Sequence, residues 1–67
     1  MVNITKTLGE KLRKKRMERE LTQEEVAYKS ELDYSYYNQI ENGRRNPSIE
    51  AIERIAKALG MSVKDLF

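Results

Sequence analysis

The chain has 67 residues, 39% of them hydrophobic, and 13 Lys/Arg against 11 Asp/Glu. It contains no cysteine and no histidine, which excludes disulfide staples, thiolate or imidazole metal sites, and cysteine or histidine catalysis. A domain of this size buries only about 60% of the surface its unfolded chain exposes, so stability has to come from idealised helix packing or from oligomerisation.

No apolar run is long enough to span a membrane, and the opening MVNITKT lacks the apolar core of a signal peptide. The expectation is one soluble, cytoplasmic domain over residues 1–67, with no cofactor and no small-molecule ligand. No segment alternates at period two, so the fold class is all-α. Charge is unevenly placed. Residues 1–20 carry seven Lys/Arg against three Glu, residues 21–43 one Lys against five Asp/Glu, and residues 44–67 five against three. A basic end segment suits a polyanionic partner, and a solvated helix face is the plain alternative.

Five short helices are expected, at about 5–19, 23–30, 34–42, 49–59 and 63–67. The first can start after Asn3, Thr5 or Thr7, and it turns Leu8 and Leu12 inward. The second opens on LTQEEV, where Thr22 and Glu25 have the spacing of a capping box and Leu21 with Val26 that of a hydrophobic staple. The third opens on LDYSYY, with Asp33 as cap and Leu32 with Tyr37 as staple. The fourth is capped by Ser48, and its apolar stripe is Ile49, Ile52, Ile55, Ala56 and Leu59. In the fifth, MSVKDL, Ser62 caps and Met61 with Leu66 form the staple. Gly43 and Gly60 suit left-handed helix stops, whereas the stops after Arg19 and Ser30 carry Glu20 and Glu31. A left-handed glutamate costs roughly 1 kcal/mol against glycine.

Residues 23–42 then read as helix, tight turn, helix, with the small Ala27 where the two helices must approach and Val26, Leu32, Tyr37 and Ile40 facing the junction. Helical phase divides the third helix. At about 100° per residue, with Ile40 pointing into the core, Tyr36 and Tyr37 flank the buried line, and Tyr34, Ser35, Asn38 and Asn42 point outward. Gln39 is lateral and Glu41 lies at the core's edge. An outward face of amides and hydroxyls can read base edges, since asparagine and glutamine match adenine bidentately. An ordinary polar solvent face is the alternative.

The combination of LTQEEVA, QIENG, NPS and IAKALG with a capped terminal helix resembles the lambda-repressor-like, Xre/Cro family of helix-turn-helix regulators, from about Leu8 to Phe67. The length and the segment AYKSELD also resemble the small dimeric controller proteins of restriction–modification systems. The chain departs from the family pattern at Glu20 and Glu31, where glycine or asparagine is usual, and at Tyr37, where isoleucine or valine is favoured. The resemblance implies a compact five-helix domain that binds double-stranded DNA as a homodimer on a palindromic operator, with residues 34–42 in the major groove. Base readers are expected at Tyr34, Ser35, Asn38 and Gln39. Phosphate anchors are expected at Gln23, Asn42, Arg44 and Arg45, with Arg13 and Lys14 as further candidates. Glu41 is implied to pair with Arg16, tying the first helix to the third. The dimer surface is assigned to Met61, Val63, Leu66 and Phe67, the alternative being that these complete the monomer's core.

Two other classes of function compete. Enzymatic use of the carboxylates would need a cleft that so small a bundle hardly provides. A protein-interaction or antitoxin-type module could use the same fold, and the salt dependence of DNA binding separates it from a regulator.

Overall fold

The structure, a computed structural model, describes residues 3–66. Its elements are α1 (Ile4–Glu18), α2 (Gln23–Lys29), α3 (Tyr34–Glu41), α4 (Ile49–Leu59) and a single 3-10 turn over Val63–Leu66. The class is all-helical, as expected, but the fifth α-helix is not formed. Four residues are too few for an α-helical turn with its own hydrogen-bonded interior, and the segment instead makes one tight turn that tucks Leu66 into the core. Phe67 lies outside the described residues.

Each start has an identifiable cause. Asn3 caps α1, its Oδ1 accepting from Lys6 N at 3.1 Å, which settles where the first helix begins. The capping box of α2 is complete: Glu25 N donates to Thr22 Oγ1 at 3.0 Å and Thr22 N to Glu25 Oε1 at 2.9 Å. Ser48 caps α4, accepting from Ala51 N at 3.1 Å. Asp33 stands at the cap position of α3 but its side chain makes no capping bond, so the role expected of it is not performed. Both members of the expected Leu32–Tyr37 staple join the core, Tyr37 fully buried and Leu32 packed against the cluster.

The four α-helices end in one way. After each, a left-handed residue is followed by a backbone bond reaching back five positions: Leu21 N to Arg16 O at 3.1 Å, Leu32 N to Ala27 O at 2.9 Å, Arg44 N to Gln39 O at 2.9 Å and Met61 N to Ala56 O at 2.9 Å. The left-handed positions are Glu20 (φ 55°), Glu31 (φ 57°), Gly43 (φ 74°) and Gly60 (φ 69°). This is the Schellman arrangement, which satisfies carbonyls the helix leaves free. Two of the four stops therefore use a strained glutamate.

The core is Leu8, Leu12, Val26, Ala27, Tyr37, Ile40, Ile55, Ala56, Leu59 and Leu66. α1 packs on α3, α2 lies between α3 and α4, and the 3-10 turn seals α1 against α4. Ile49 does not join the stripe assigned to it and is 74% exposed. It falls about 120° from Ile55 around the helix, while Ala51, about 40° away, takes the buried place.

Two contacts fix how α1 lies on α3. The first is Gly9, inside α1. A Cβ there would stand 2.7 Å from the Ile40 carbonyl oxygen and closer still to that of Glu41. Glycine is therefore required by space, so that the backbones can touch. The second is the Arg16–Glu41 pair. Arg16 Nε donates to Glu41 Oε1 and Oε2 at 3.2 and 3.0 Å, Nη2 donates to Oε1 at 2.7 Å, and Nη1 donates to the Leu21 carbonyl at 2.8 Å. The Glu41 side chain is 1% exposed. Burial pushes its carboxyl up, but the hydrogen bonds and charge of Arg16, helped by the neighbouring Tyr37 and Gln23 polar groups, outweigh burial and hold it below the usual range. The Tyr37 hydroxyl sits beside this pair without completing a hydrogen bond of good geometry, and burial raises its phenol above the ordinary value.

Three outcomes follow for stability, each read from thermal or urea unfolding. Gly9→Ala destabilises by about 1–3 kcal/mol, because a methyl group must push α1 off α3. Glu31→Gly stabilises by about 0.5–1 kcal/mol, the relief of left-handed strain exceeding the added freedom of the unfolded chain. Glu41→Ala costs about 3 kcal/mol at neutral pH by leaving Arg16 unpaired. Since the folded carboxyl is held low, the Glu41 contribution is complete above the unfolded carboxylate range and fades as pH falls through the folded value. The gap between wild type and Glu41→Ala should therefore close on acidification, and a gap that widens would contradict the ion-pair account.

Candidate nucleic-acid interface

α2 and α3 are joined by Ser30, Glu31, Leu32 and Asp33, and the turn is tight because Glu31 is left-handed and Leu32 is drawn back to Ala27. Ala27, 3% exposed, lets the helices close at this corner. α3 is thus held by Tyr37 and Ile40 on one side and leaves its opposite side uncovered.

The uncovered side carries Tyr34, 48% exposed, with Ser35 and Asn42 also exposed and Asn38 and Gln39 half-buried. These side chains are not independent. Asn38 Nδ2 donates to Gln23 Oε1 at 2.9 Å, and the Tyr34 hydroxyl donates to the same oxygen at 3.3 Å. Asn42 Nδ2 donates to Asn38 Oδ1 at 3.1 Å. Gln39 Nε2 donates to Ser35 Oγ at 3.3 Å and its Oε1 accepts from Arg45 Nε at 3.3 Å. Gln23, from the first turn of α2, is therefore brought to the middle of the α3 face. Helical phase alone places Asn38 on open surface and does not show that α2 covers part of it.

The cations divide by position. Arg44 and Arg45 are exposed just beyond α3. Arg45 also lies over the Tyr36 ring, 5.5 Å from its centroid, and the Tyr36 hydroxyl accepts from Ser48 N at 3.4 Å. Tyr36 is thereby fixed as a half-buried post between α3 and the loop before α4. On α1, taking Gly9 as the line that touches α3, Arg13 falls about 40° away and Lys14 about 140° away. Lys14 shares a shallow surface depression with Lys11, Met61 and Asp65, so the structure turns it from α3 and does not bring it to this face. Lys6, which sequence reasoning passed over, takes its place: its Cα would stand 3.0 Å from a Cβ at Gly43, at the end of α3. Spacing held a signal, since Lys6 and Arg13 are seven residues apart and share a helix face.

Leu66 is 2% exposed within the single chain, so it belongs to the monomer's core and has no surface to give a dimer. Met61 and Val63 are half-buried against that core. No helix among the described residues is long and apolar enough to cross a membrane.

Comparison with known proteins agrees with this geometry. The chain is 43% identical over 68 residues to the control protein C.MunI from Mycoplasma sp, covering all of this chain and 92% of that one. It is 42% identical over 65 residues to the control protein C.BamHI from Bacillus amyloliquefaciens, covering 96% and 80%. Its backbone matches the restriction-modification controller protein C.AhdI from Aeromonas hydrophila with a TM-score of 0.92 at 38% identity, covering 94% and 96%. The helix-turn-helix family model matches residues 12–66, a span that takes in the α2–turn–α3 corner and the helices that brace it, and the chain belongs to that family.

Proposed function

We propose that this chain is a sequence-specific DNA-binding transcriptional regulator of the controller-protein type, which binds a palindromic operator as a homodimer. The observation that carries this reading is the uncovered, uncharged hydrogen-bonding face of α3, held out by the helix-turn-helix corner and flanked by cations at its far end. Its relatives among control proteins support the regulatory role. α3 enters the major groove, where Tyr34, Ser35, Asn38 and Gln39 meet base edges. Gln23, Asn42, Arg44 and Arg45, with Arg13 and Lys6 from α1, contact the phosphates on either side. The split follows from chemistry: amides and hydroxyls discriminate donor–acceptor patterns, and cations bind any backbone alike.

One such corner reads few base pairs, so a second copy is needed for useful specificity. Met61 and Val63 remain the residues assigned to that contact, without Leu66. The second reading, a protein-interaction module on the same scaffold, is favoured by the five acidic residues of 21–43, which oppose phosphate at close range.

Enrichment of duplexes from a random pool tests the proposal, followed by affinity measurements on the enriched site. Affinity should fall steeply as salt is added, because each phosphate contact releases counterions. Asn38→Ala should relax preference at one position and cost roughly 1–3 kcal/mol on the best site. Arg44→Ala should weaken every duplex about equally and lower the salt slope by about one. No enrichment, or affinity indifferent to salt, would sink the regulator reading in favour of the interaction module.

A further inference from the structure

Of the four asparagines, Asn42 alone is followed by glycine, at the place where α3 stops. Asn3 precedes Ile4, Asn38 precedes Gln39, and Asn46 precedes Pro47, whose nitrogen carries no hydrogen. The order matters chemically. An asparagine loses its amide when the next backbone nitrogen, stripped of its proton, attacks the side-chain carbonyl carbon. A side chain on the attacking residue hinders that approach, and glycine has none. The fold also requires this glycine. Gly43 has φ 74°, and a Cβ there would stand 3.0 Å from Lys6 Cα. The reactive pair is therefore built into the stop.

Asn42 is exposed, so water reaches its side chain. The closed turn nevertheless holds the reaction off. Asn42 has φ −83° and ψ 1°, which turns the Gly43 nitrogen toward the Asn42 backbone nitrogen and away from the Asn42 side chain. Gly43 N also donates to the Ile40 carbonyl at 3.1 Å, and Arg44 N to the Gln39 carbonyl at 2.9 Å. The Asn42 amide itself donates to Asn38 Oδ1 at 3.1 Å. Ring closure requires all three bonds to break together. They lie at a helix end among exposed residues, where local opening is cheapest. Arg44 and Arg45 follow directly in the chain, and nearby cations favour the amide anion that attacks.

We propose that Asn42 is a covalent modification site: it deamidates when the stop of α3 opens, and the product switches off contact with DNA. In the opened turn Gly43 N bonds to Asn42 Cγ, and Nδ2 leaves as ammonia with the proton that Gly43 gives up. Water then opens the succinimide ring. Breaking the bond to Cγ leaves aspartate in an intact chain. Breaking the bond to the backbone carbonyl carbon leaves isoaspartate, whose main chain runs through Cβ and Cγ. Either way water is consumed, ammonia is released and a carboxylate replaces the amide. That carboxylate stands beside Arg44 and Arg45, where phosphate contact is proposed. Isoaspartate also lengthens the turn by a carbon atom, so the bonds to Ile40 and Gln39 no longer fit together. The loss of DNA contact rests on the DNA-reading function proposed above, and the chemistry at Asn42 does not.

The test ages wild type and Asn42→Gln in buffer, in urea below the unfolding midpoint, and in urea that unfolds the chain. Aspartate and isoaspartate are mapped by peptide mass spectrometry and isoaspartyl methyltransferase labelling. Glutamine keeps the amide, but its longer side chain closes a ring far more slowly. Expected in buffer is modification at position 42 of wild type and none there in Asn42→Gln. The rate should climb severalfold as urea approaches the midpoint, because the reactive state is the opened one. Separated by charge from the same preparation, the modified wild-type fraction should bind the enriched duplex roughly fivefold or more weakly than the unmodified fraction, and Asn42→Asp should be weakened likewise. Modification in unfolding urea but none in buffer would overturn the site. A rate indifferent to urea would overturn its gating by the stop, and a modified fraction that binds like the unmodified one would overturn the switch. A wild-type chain that enriches no duplex would sink the regulator reading and the switch with it, while modification mapped to Asn42 would still stand.

Discussion

The contact between α1 and the end of α3 is the constraint from which the other arrangements follow. It has two parts that need each other. Gly9 lets the backbones touch, and the touching brings Arg16 within reach of Glu41. Arg16 then ties together Glu41 and, through Nη1, the Leu21 carbonyl at the entry to α2. Three segments are fixed by one planar guanidinium. A buried ion pair is weak evidence of net stability, since hydrophobic replacements of similar volume often do as well. What an apolar patch would lack is direction. Arg16 accepts only a narrow range of positions for α3.

The same economy governs the turns. α2 and α3 could meet at many angles if the connection were loose. The back-bond from Leu32 to Ala27 and the left-handed Glu31 leave little freedom, and the small Ala27 removes the last obstacle to close approach. Strain at Glu31 is tolerated because Leu32 and Tyr37 bury apolar surface immediately beyond it. Glu20 repeats the arrangement one helix earlier, with Leu21 behind it. In both places a hydrophobic anchor stands next to an unfavourable backbone conformation, and burial outweighs torsional preference.

Most of the fold was legible because its signals are local. Capping boxes, staples and helix stops depend on residues three to five apart, and the helices they delimit were placed to within a residue or two. Errors arose where a distant segment decides the outcome. Nothing within LDYSYY reveals that Asp33 forms no capping bond. Ile49 looks like the first member of a stripe until Ala51 is seen to occupy the buried phase. Leu66 reads equally well as core or as interface until the 3-10 turn is folded back on α1 and α4. Gly9 was passed over because a glycine inside a helical pattern resembles punctuation, yet it marks the place where the backbones of α1 and α3 touch. The candidate site behaved likewise. Phase alone selects the side chains on the outer half of α3, and it cannot show that Gln23 crosses from α2 to bind two of them, or that Lys14 faces away while Lys6 faces in.

The distribution of charge then acquires a physical sense. α3 carries no basic residue, and the segment around it is acidic, so its exposed face offers no general attraction for phosphate. Cations stand at the margins, on α1 and after Gly43. On the DNA-reading function proposed above, a wrong sequence leaves only the marginal, salt-sensitive contacts, and the acidic centre opposes close approach. On a matching one, the amides and hydroxyls proposed as readers add the contacts that offset this repulsion. Placing attraction at the edges and discrimination in the centre widens the difference between right and wrong sites even at modest net charge, because specificity is a difference of affinities and a repulsive element raises it as surely as an attractive one. A lysine in place of Asn38 would strengthen binding everywhere and narrow that difference, which gives a reason for a third helix built of tyrosines and amides.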